Sequence, residues 1–106
     1  MLNVAVIGLG NMGQHHAKAY AKLPSVNFVA ACDPNIERFK AIQKEDTTRY
    51  FDNLDQMLLE CKIDALSICV PTFAHYDIAK KCIDQGIAVL VEKPIAESVD
   101  QAKRLV

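Results

Sequence analysis

The sequence predicts an α/β fold, a doubly wound parallel sheet with helices on both faces. Three observations carry this expectation. Short apolar, β-branched runs alternate with stretches of helical periodicity five times, and the connections between them are short. The first run, Asn3 to Gly8, opens directly into Gly8-Leu9-Gly10-Asn11-Met12-Gly13, a G-x-G-x-x-G spacing with a helical pattern behind it. The second run ends in an acidic residue, Asp33, twenty positions past Gly13.

Strand, glycine turn and helix in that order form the phosphate-binding start of a Rossmann-type dinucleotide fold. Gly8 lets the chain turn sharply off the strand, where a Cβ would clash. Gly10 removes bulk so that a diphosphate can reach the backbone, and Gly13 lets the helix pack close to the strand. The first helical turn, with Asn11 and Met12, leaves N–H groups without partners under a positive dipole end. A diphosphate fills that need without a lysine. The glycine spacing alone is weak; its place between strand and helix is what separates it from an ordinary tight turn.

The elements follow in order. The first helix is predicted from about Asn11 to Leu23, with Met12, His16, Ala19, Tyr20 and Leu23 at helical spacing and Pro24 as the stop. His15 and His16 point in different directions on a helix, so a shared metal is not expected; His16 is read as inward packing and His15 as more exposed. Val26 to Cys32 is a strand apolar enough to be covered on both faces. Asp33-Pro34-Asn35 breaks it and starts a helix over about Ile36 to Lys44. Arg49 to Phe51 is a short third strand. Asn53-Leu-Asp-Gln56 resembles a capping box before a short helix with Leu54, Met57 and Leu58 inward. Ile63 to Val70 is the fourth strand, stopped by Pro71 and Thr72. The next helix carries His75, Ile78, Ala79, Cys82 and Ile83 on one side, and Gly86 closes it. Ile87 to Val91 is the fifth strand, followed at once by Glu92-Lys93-Pro94. A last helix opens at Ser98 and is still running at Val106.

Composition bounds the function. The chain has 106 residues, 51% hydrophobic and 24% charged, with a formal net charge of −1. That is one domain's worth of core. The charge balance gives no basic surface for nucleic acid and no polybasic run for a membrane. No signal peptide and no transmembrane stretch are expected. The four cysteines, at 32, 61, 69 and 82, form no C-x-x-C pair and no zinc pattern. They read as small buried hydrophobes, and reduced thiols predict the cytoplasm.

The polar clusters fall where such sheets bind ligands, beyond the carboxyl ends of the strands. Gly8 to Gly13, Asp33, Pro71 to His75 and Glu92 to Pro94 follow four different strands. Asp33 sits where a carboxylate meets an adenosine ribose, with a turn or capping role as the alternative. Arg38 is the nearby cation that can accept a 2′-phosphate, or lie along the solvent face. Lys93, held before a proline, can hydrogen-bond a substrate hydroxyl or shift its pKa for proton transfer; a lysine snorkelling to solvent is the alternative. Glu92 can pair with it. His75 either faces the cofactor or caps a turn.

These residues carry a resemblance. Gly8-x-Gly10-x-x-Gly13-x-x-His16, Asp33, Asp64-Ala-Leu-Ser-Ile, Pro71-x-x-x-His75, Gly86 and Val91-Glu92-Lys93-Pro94-Ile-Ala follow one pattern in register along the whole chain. The chain resembles the N-terminal domain of the glucose–fructose oxidoreductase, inositol dehydrogenase and rhizopine-catabolism (Gfo/Idh/MocA) family. The resemblance implies an NAD(P)-dependent oxidoreductase acting on a sugar or polyol, with Lys93 beside the nicotinamide and the reacting hydroxyl. It also implies that the Pro71 to His75 loop lines the cofactor. Val70 and Thr72 depart from the threonine and asparagine that the family often has around that proline, so some cofactor hydrogen bonds should differ. The family's second α/β domain, which supplies most substrate contacts and usually a catalytic histidine and aspartate, has no counterpart in these 106 residues.

The expected cofactor-contacting positions are Gly8, Gly10, Asn11, Met12, Gly13, Asp33, Arg38, Val70, Pro71, Thr72, His75, Glu92 and Lys93. Lys93 is the one catalytic candidate, no metal is expected, and Asp33 favours NAD over NADP. The competing class is a non-catalytic NAD(P)-binding module that senses redox state. On the dehydrogenase reading, this stretch binds cofactor but does not turn over by itself, and it assembles with copies of itself to cover apolar surface.

Overall fold

The computed structural model describes residues 2–42, 47–70 and 72–91. Within them the expected alternation is present. The order is β1 (Leu2–Ile7), α1 (Asn11–Lys22), β2 (Val26–Cys32), α2 (Ile36–Ala41), β3 (Arg49–Phe51), α3 (Leu54–Glu60), β4 (Ala65–Ile68), α4 (Thr72–Asp84) and β5 (Ala88–Val91). The five strands form one parallel sheet in the order β3-β2-β1-β4-β5. The order reverses beside β1, and this reversal opens a crevice at the carboxyl ends of β1, β2 and β4. The helix predicted at Ser98 lies outside the described residues.

Alternate strand residues divide the core into two layers. One face of the sheet (Ala5, Ile7, Cys32, Leu66, Ile68) packs on Met57 of α3 and on Ala79 and Cys82 of α4. The other (Val4, Val6, Phe28, Ala31) packs on Ala17 of α1, with Phe39 of α2 against it. Between Phe28 and Ala31 the alternation slips by one. The β1–β2 register shifts between Val4 and Ala5, so Val29 and Ala30 both serve the first layer. This is a β-bulge, and it returns Ala31 to the same face as Phe28.

The buried line of α1 differs from the expected one. Gly13 and Ala17 are buried, His16, Tyr20 and Ala21 are half-buried, and Met12, Ala19 and Leu23 are exposed. Gly13 and Ala17 take the line of closest approach to β1, where there is no room for longer side chains, and of the larger residues expected there only His16 and Tyr20 reach the sheet, at Ser67 of β4. α2 is shorter than expected: Ile42 takes extended backbone and turns into the core. Asn53 caps α3 by accepting from the Gln56 N–H at 2.9 Å, but the Gln56 side chain bonds Glu60 one turn on rather than reaching back to the cap. β4 is shorter than expected, Ala65–Ile68, and Asp64 just before it is tied to β1. Its carboxylate accepts from Asn3 N and its N–H donates to Asn3 O, each at 2.8 Å.

One polar cluster lies inside the second layer. Ser67 of β4 is fully buried, and its hydroxyl meets His16 Nδ1 at 2.8 Å and Tyr20 Oη at 2.6 Å. It ties α1 to the sheet across about fifty residues of sequence. His16 is therefore a packed, hydrogen-bonded helix residue, as its spacing suggests, and His15 is exposed. Ser67→Ala leaves two ring groups facing a methyl. The expected cost is about 1–3 kcal/mol, read as a fall of roughly 4–8 °C in melting temperature per kcal/mol. Thermal denaturation followed by circular dichroism measures it.

Candidate functional site

The crevice beside β1 is a cleft of about 610 Å³ whose walls come from the ends of β1, β2 and β4 and from α3 and α4. Gly8 turns the chain at its floor. Its φ is +88°, and an added Cβ would lie 2.6 Å from the carbonyl oxygen of Cys69, so only glycine fits without strain. Gly8 N donates to Cys32 O at 2.8 Å, which anchors the turn to β2.

Gly10 and Gly13 have different environments. A Cβ on Gly13 would overlap the Gly8 carbonyl oxygen, so α1 begins in direct backbone contact with the turn. A Cβ on Gly10 would meet nothing within 4 Å and would project into open space at the cleft. Gly10 is also the N-cap of α1. It offers no capping side chain, and the first turn holds no acidic residue. The first intrahelical bond in this turn is Gln14 N to Gly10 O at 2.9 Å. The helix end thus presents unpaired N–H groups and positive dipole to the cleft, as an anion requires. Asn11 and Met12 are exposed at this end.

Asp33 is 2% exposed and fixed on all sides. One carboxylate oxygen accepts from Leu9 N and the other from Asn35 N, both at 2.8 Å. The first of these ties the second strand's acid to the glycine turn. The second is a local Asx turn, so the turn role and the cleft position coexist in one residue. Asn35, not Asp33, caps α2, accepting from Glu37 N at 2.9 Å. Each carboxylate oxygen has a second lone pair for a further donor. Arg38 Nη1 lies 3.6 Å from Asp33 Oδ2 with its side chain 53% exposed, so the guanidinium sits over the carboxylate at the cleft edge. Among the described residues these are the polar groups that could hold a dinucleotide: the open end of α1 for the diphosphate, Asp33 for ribose hydroxyls, and Arg38 beside it.

The remaining wall is apolar. Leu54, Val70 and Ile78 line it together with Cys32 and Cys69. Burial, then the nearby Asp33 and Asp52 carboxylates, push the Cys32 thiol up to about 11, so it stays protonated at neutral pH and acts as packing. Sequence reasoning singled out Val70 but missed Leu54 and Ile78 as wall residues. Their spacing reads only as buried helix face. Thr72 and His75 lie in the first turn of α4, over the cleft end of β4, and are placed as helix positions only. Pro71, Glu92 and Lys93 lie outside the described residues. No described helix is long and apolar enough to cross a membrane.

Comparison with known proteins agrees with this geometry. The family model described as an oxidoreductase family with an NAD-binding Rossmann fold matches residues 2–106. The chain is 32% identical over 105 residues to UDP-N-acetylglucosamine 3-dehydrogenase of Acidithiobacillus ferrooxidans, covering 99% of this chain and 32% of that protein. It is 32% identical over 106 residues to D-glucoside 3-dehydrogenase of Escherichia coli, covering 98% of this chain and 30% of that protein. Among solved structures it superposes on scyllo-inositol dehydrogenase of Lactobacillus casei with bound NAD(H) and scyllo-inositol. The TM-score is 0.87 at 25% identity, over 99% of this chain and 32% of that one. The chain therefore spans about a third of the length of the relatives it matches. It belongs to the Gfo/Idh/MocA oxidoreductase family, as that family's NAD-binding Rossmann domain.

Proposed function

We propose that this chain is the cofactor-binding part of an NAD-dependent dehydrogenase whose substrate is a sugar or polyol hydroxyl, with NAD preferred over NADP. The observation that carries the preference is the Asp33 carboxylate, held rigidly at the cleft by Leu9 N and Asn35 N. Its free lone pairs suit the two hydroxyls of an adenosine ribose, and its charge opposes a 2′-phosphate. When bound, the nicotinamide supplies the hydride acceptor. The chain's own part is to bind and orient it: the bare N-terminus of α1 takes the diphosphate, Asp33 fixes the ribose, and the apolar wall at Leu54 and Ile78 excludes water. Lys93 is assigned, through the family's glutamate-lysine-proline motif, to hold the reacting hydroxyl and help move its proton. Substrate contacts and turnover are assigned to sequence that the matched relatives have beyond this third of their length.

Calorimetric titration with NADH and NADPH tests the assignment. The unmodified chain is expected to bind NADH more tightly. Asp33→Ala removes hydrogen bonds to a charged group, about 1.5–3 kcal/mol, and should weaken NADH roughly 10- to 100-fold while narrowing the gap to NADPH. Tighter binding of NADPH by the unmodified chain would overturn the role of Asp33 and move the assignment to Arg38.

A further inference from the structure

The main chain of Asp33 is held as firmly as its carboxylate, and one side chain far along the sequence does much of the holding. Asp33 N donates to Phe51 O at 3.0 Å, which continues the β2–β3 ladder one residue past Cys32. The Asp33 carbonyl lies beyond that ladder, where the chain leaves the sheet. It accepts from the Tyr50 hydroxyl at 2.6 Å, across seventeen residues. Pro34 follows, and the residue before a proline is restricted to extended backbone. Tyr50 is itself fixed: it pairs with Ala31 in the sheet, and its ring lies 5.1 Å from that of Phe39 of α2, tilted by 49°. Partial burial, followed by the Asp52 and Asp33 carboxylates, raises the Tyr50 phenol above its ordinary value, so the hydroxyl remains a donor at and above neutral pH.

We infer that Tyr50 is a positioning residue for dinucleotide binding, its hydroxyl fixing the Asp33 backbone so that the carboxylate meets the ribose without reorganisation. The inference rests on the reading of Asp33 as the ribose-binding residue. The physical argument is preorganisation. A carboxylate already in its bound geometry loses little further freedom when the ligand arrives. Without the hydroxyl, the Asp33–Pro34 peptide must find water or move, and the carboxylate moves with it.

A second hydroxyl provides the control. Thr48 Oγ1 donates to the Phe28 carbonyl at 2.7 Å. It is the same kind of bond, between the same two neighbouring stretches of chain, at the end of β3 away from the cleft. If Tyr50 only stabilises the fold, Tyr50→Phe and Thr48→Val should behave alike.

The test is a double-mutant cycle on NADH affinity, measured by calorimetry in the cold so that a variant with a lowered melting temperature is still folded. Tyr50→Phe is expected to weaken NADH about fivefold, the weight of one hydrogen bond. In the Asp33→Ala background the same change should cost nothing further. Thr48→Val should lower the melting temperature yet leave NADH affinity within about twofold. Unchanged affinity in Tyr50→Phe, or an equal loss with and without Asp33, overturns the positioning role while leaving Asp33 in place. Unchanged affinity in Asp33→Ala alone overturns both this inference and the reading it rests on.

Discussion

Gly13→Ala is expected to destabilise this chain severely. Helix propensity alone predicts the opposite sign, since alanine is favoured over glycine in a helix interior by about 0.8–1 kcal/mol. The contact decides otherwise. The new methyl would overlap the Gly8 carbonyl oxygen, which is backbone and belongs to the tight turn packed against the Cys69 carbonyl. Neither side can rotate away, so α1 must lift off β1. That movement opens the layer built on Ala17 and Phe28 and breaks the Ser67 bonds to His16 and Tyr20. Overpacking alone costs about 1–3 kcal/mol where side chains can give; between two backbone segments the cost lies at or beyond the upper end. Against a total stability of about 5–15 kcal/mol, we expect a fall of more than roughly 10 °C in melting temperature, with nucleotide binding lost alongside. A variant that melts within a few degrees of the unmodified chain would show that α1 can shift at no cost.

Three residues earlier the expected result reverses. Gly10→Val should keep the fold and lose the ligand. Gly10 has φ −70° and ψ −163°, extended backbone open to any residue, and a Cβ there meets nothing. The loss of a favourable N-cap glycine costs at most about 1 kcal/mol. The branched side chain, however, would stand over the unpaired N–H groups of α1, in the space at the cleft where an anion must approach them. We expect NADH affinity to fall at least about 100-fold, roughly the weight of two charge-assisted hydrogen bonds. The melting temperature should change by only a few degrees. Calorimetry and thermal melting on the same preparation check both halves. A folded variant that binds NADH as well as the unmodified chain would place the diphosphate elsewhere.

The two glycines show where the sequence suffices and where it does not. The spacing from Gly8 to Gly13 announces a turn between strand and helix, because that geometry is local and its constraints fall on neighbouring residues. The five alternations announce the parallel sheet for the same reason: period and chain length restrict each element, and right-handed crossovers restrict how elements combine. Asp33 is legible as a cleft residue because its offset from the glycines is fixed by one helix and one strand. The spacing assigns each glycine a task, but only the packed backbone gives those tasks their magnitudes.

Other features depend on contacts made after the chain has closed on itself. Helical spacing gives α1 a stripe of Met12, His16, Ala19, Tyr20 and Leu23, whereas the backbone approach to β1 fully buries Gly13 and Ala17 and brings only His16 and Tyr20 of that stripe to the sheet. The bulge at Val29 leaves no mark in the sequence, since Phe28 to Cys32 are all apolar and either face could bury any of them. Ser67 looks like a polar interruption of β4 until His16 and Tyr20 arrive from α1 to satisfy it. Tyr50 looks like any aromatic strand residue, because the carbonyl it holds belongs to a turn in another part of the sequence. The order of elements, the glycine turn and the acid that faces it follow from local constraints along the chain. Tertiary structure alone decided which side chains hold that acid still, because their partners are neighbours in space and not along the chain.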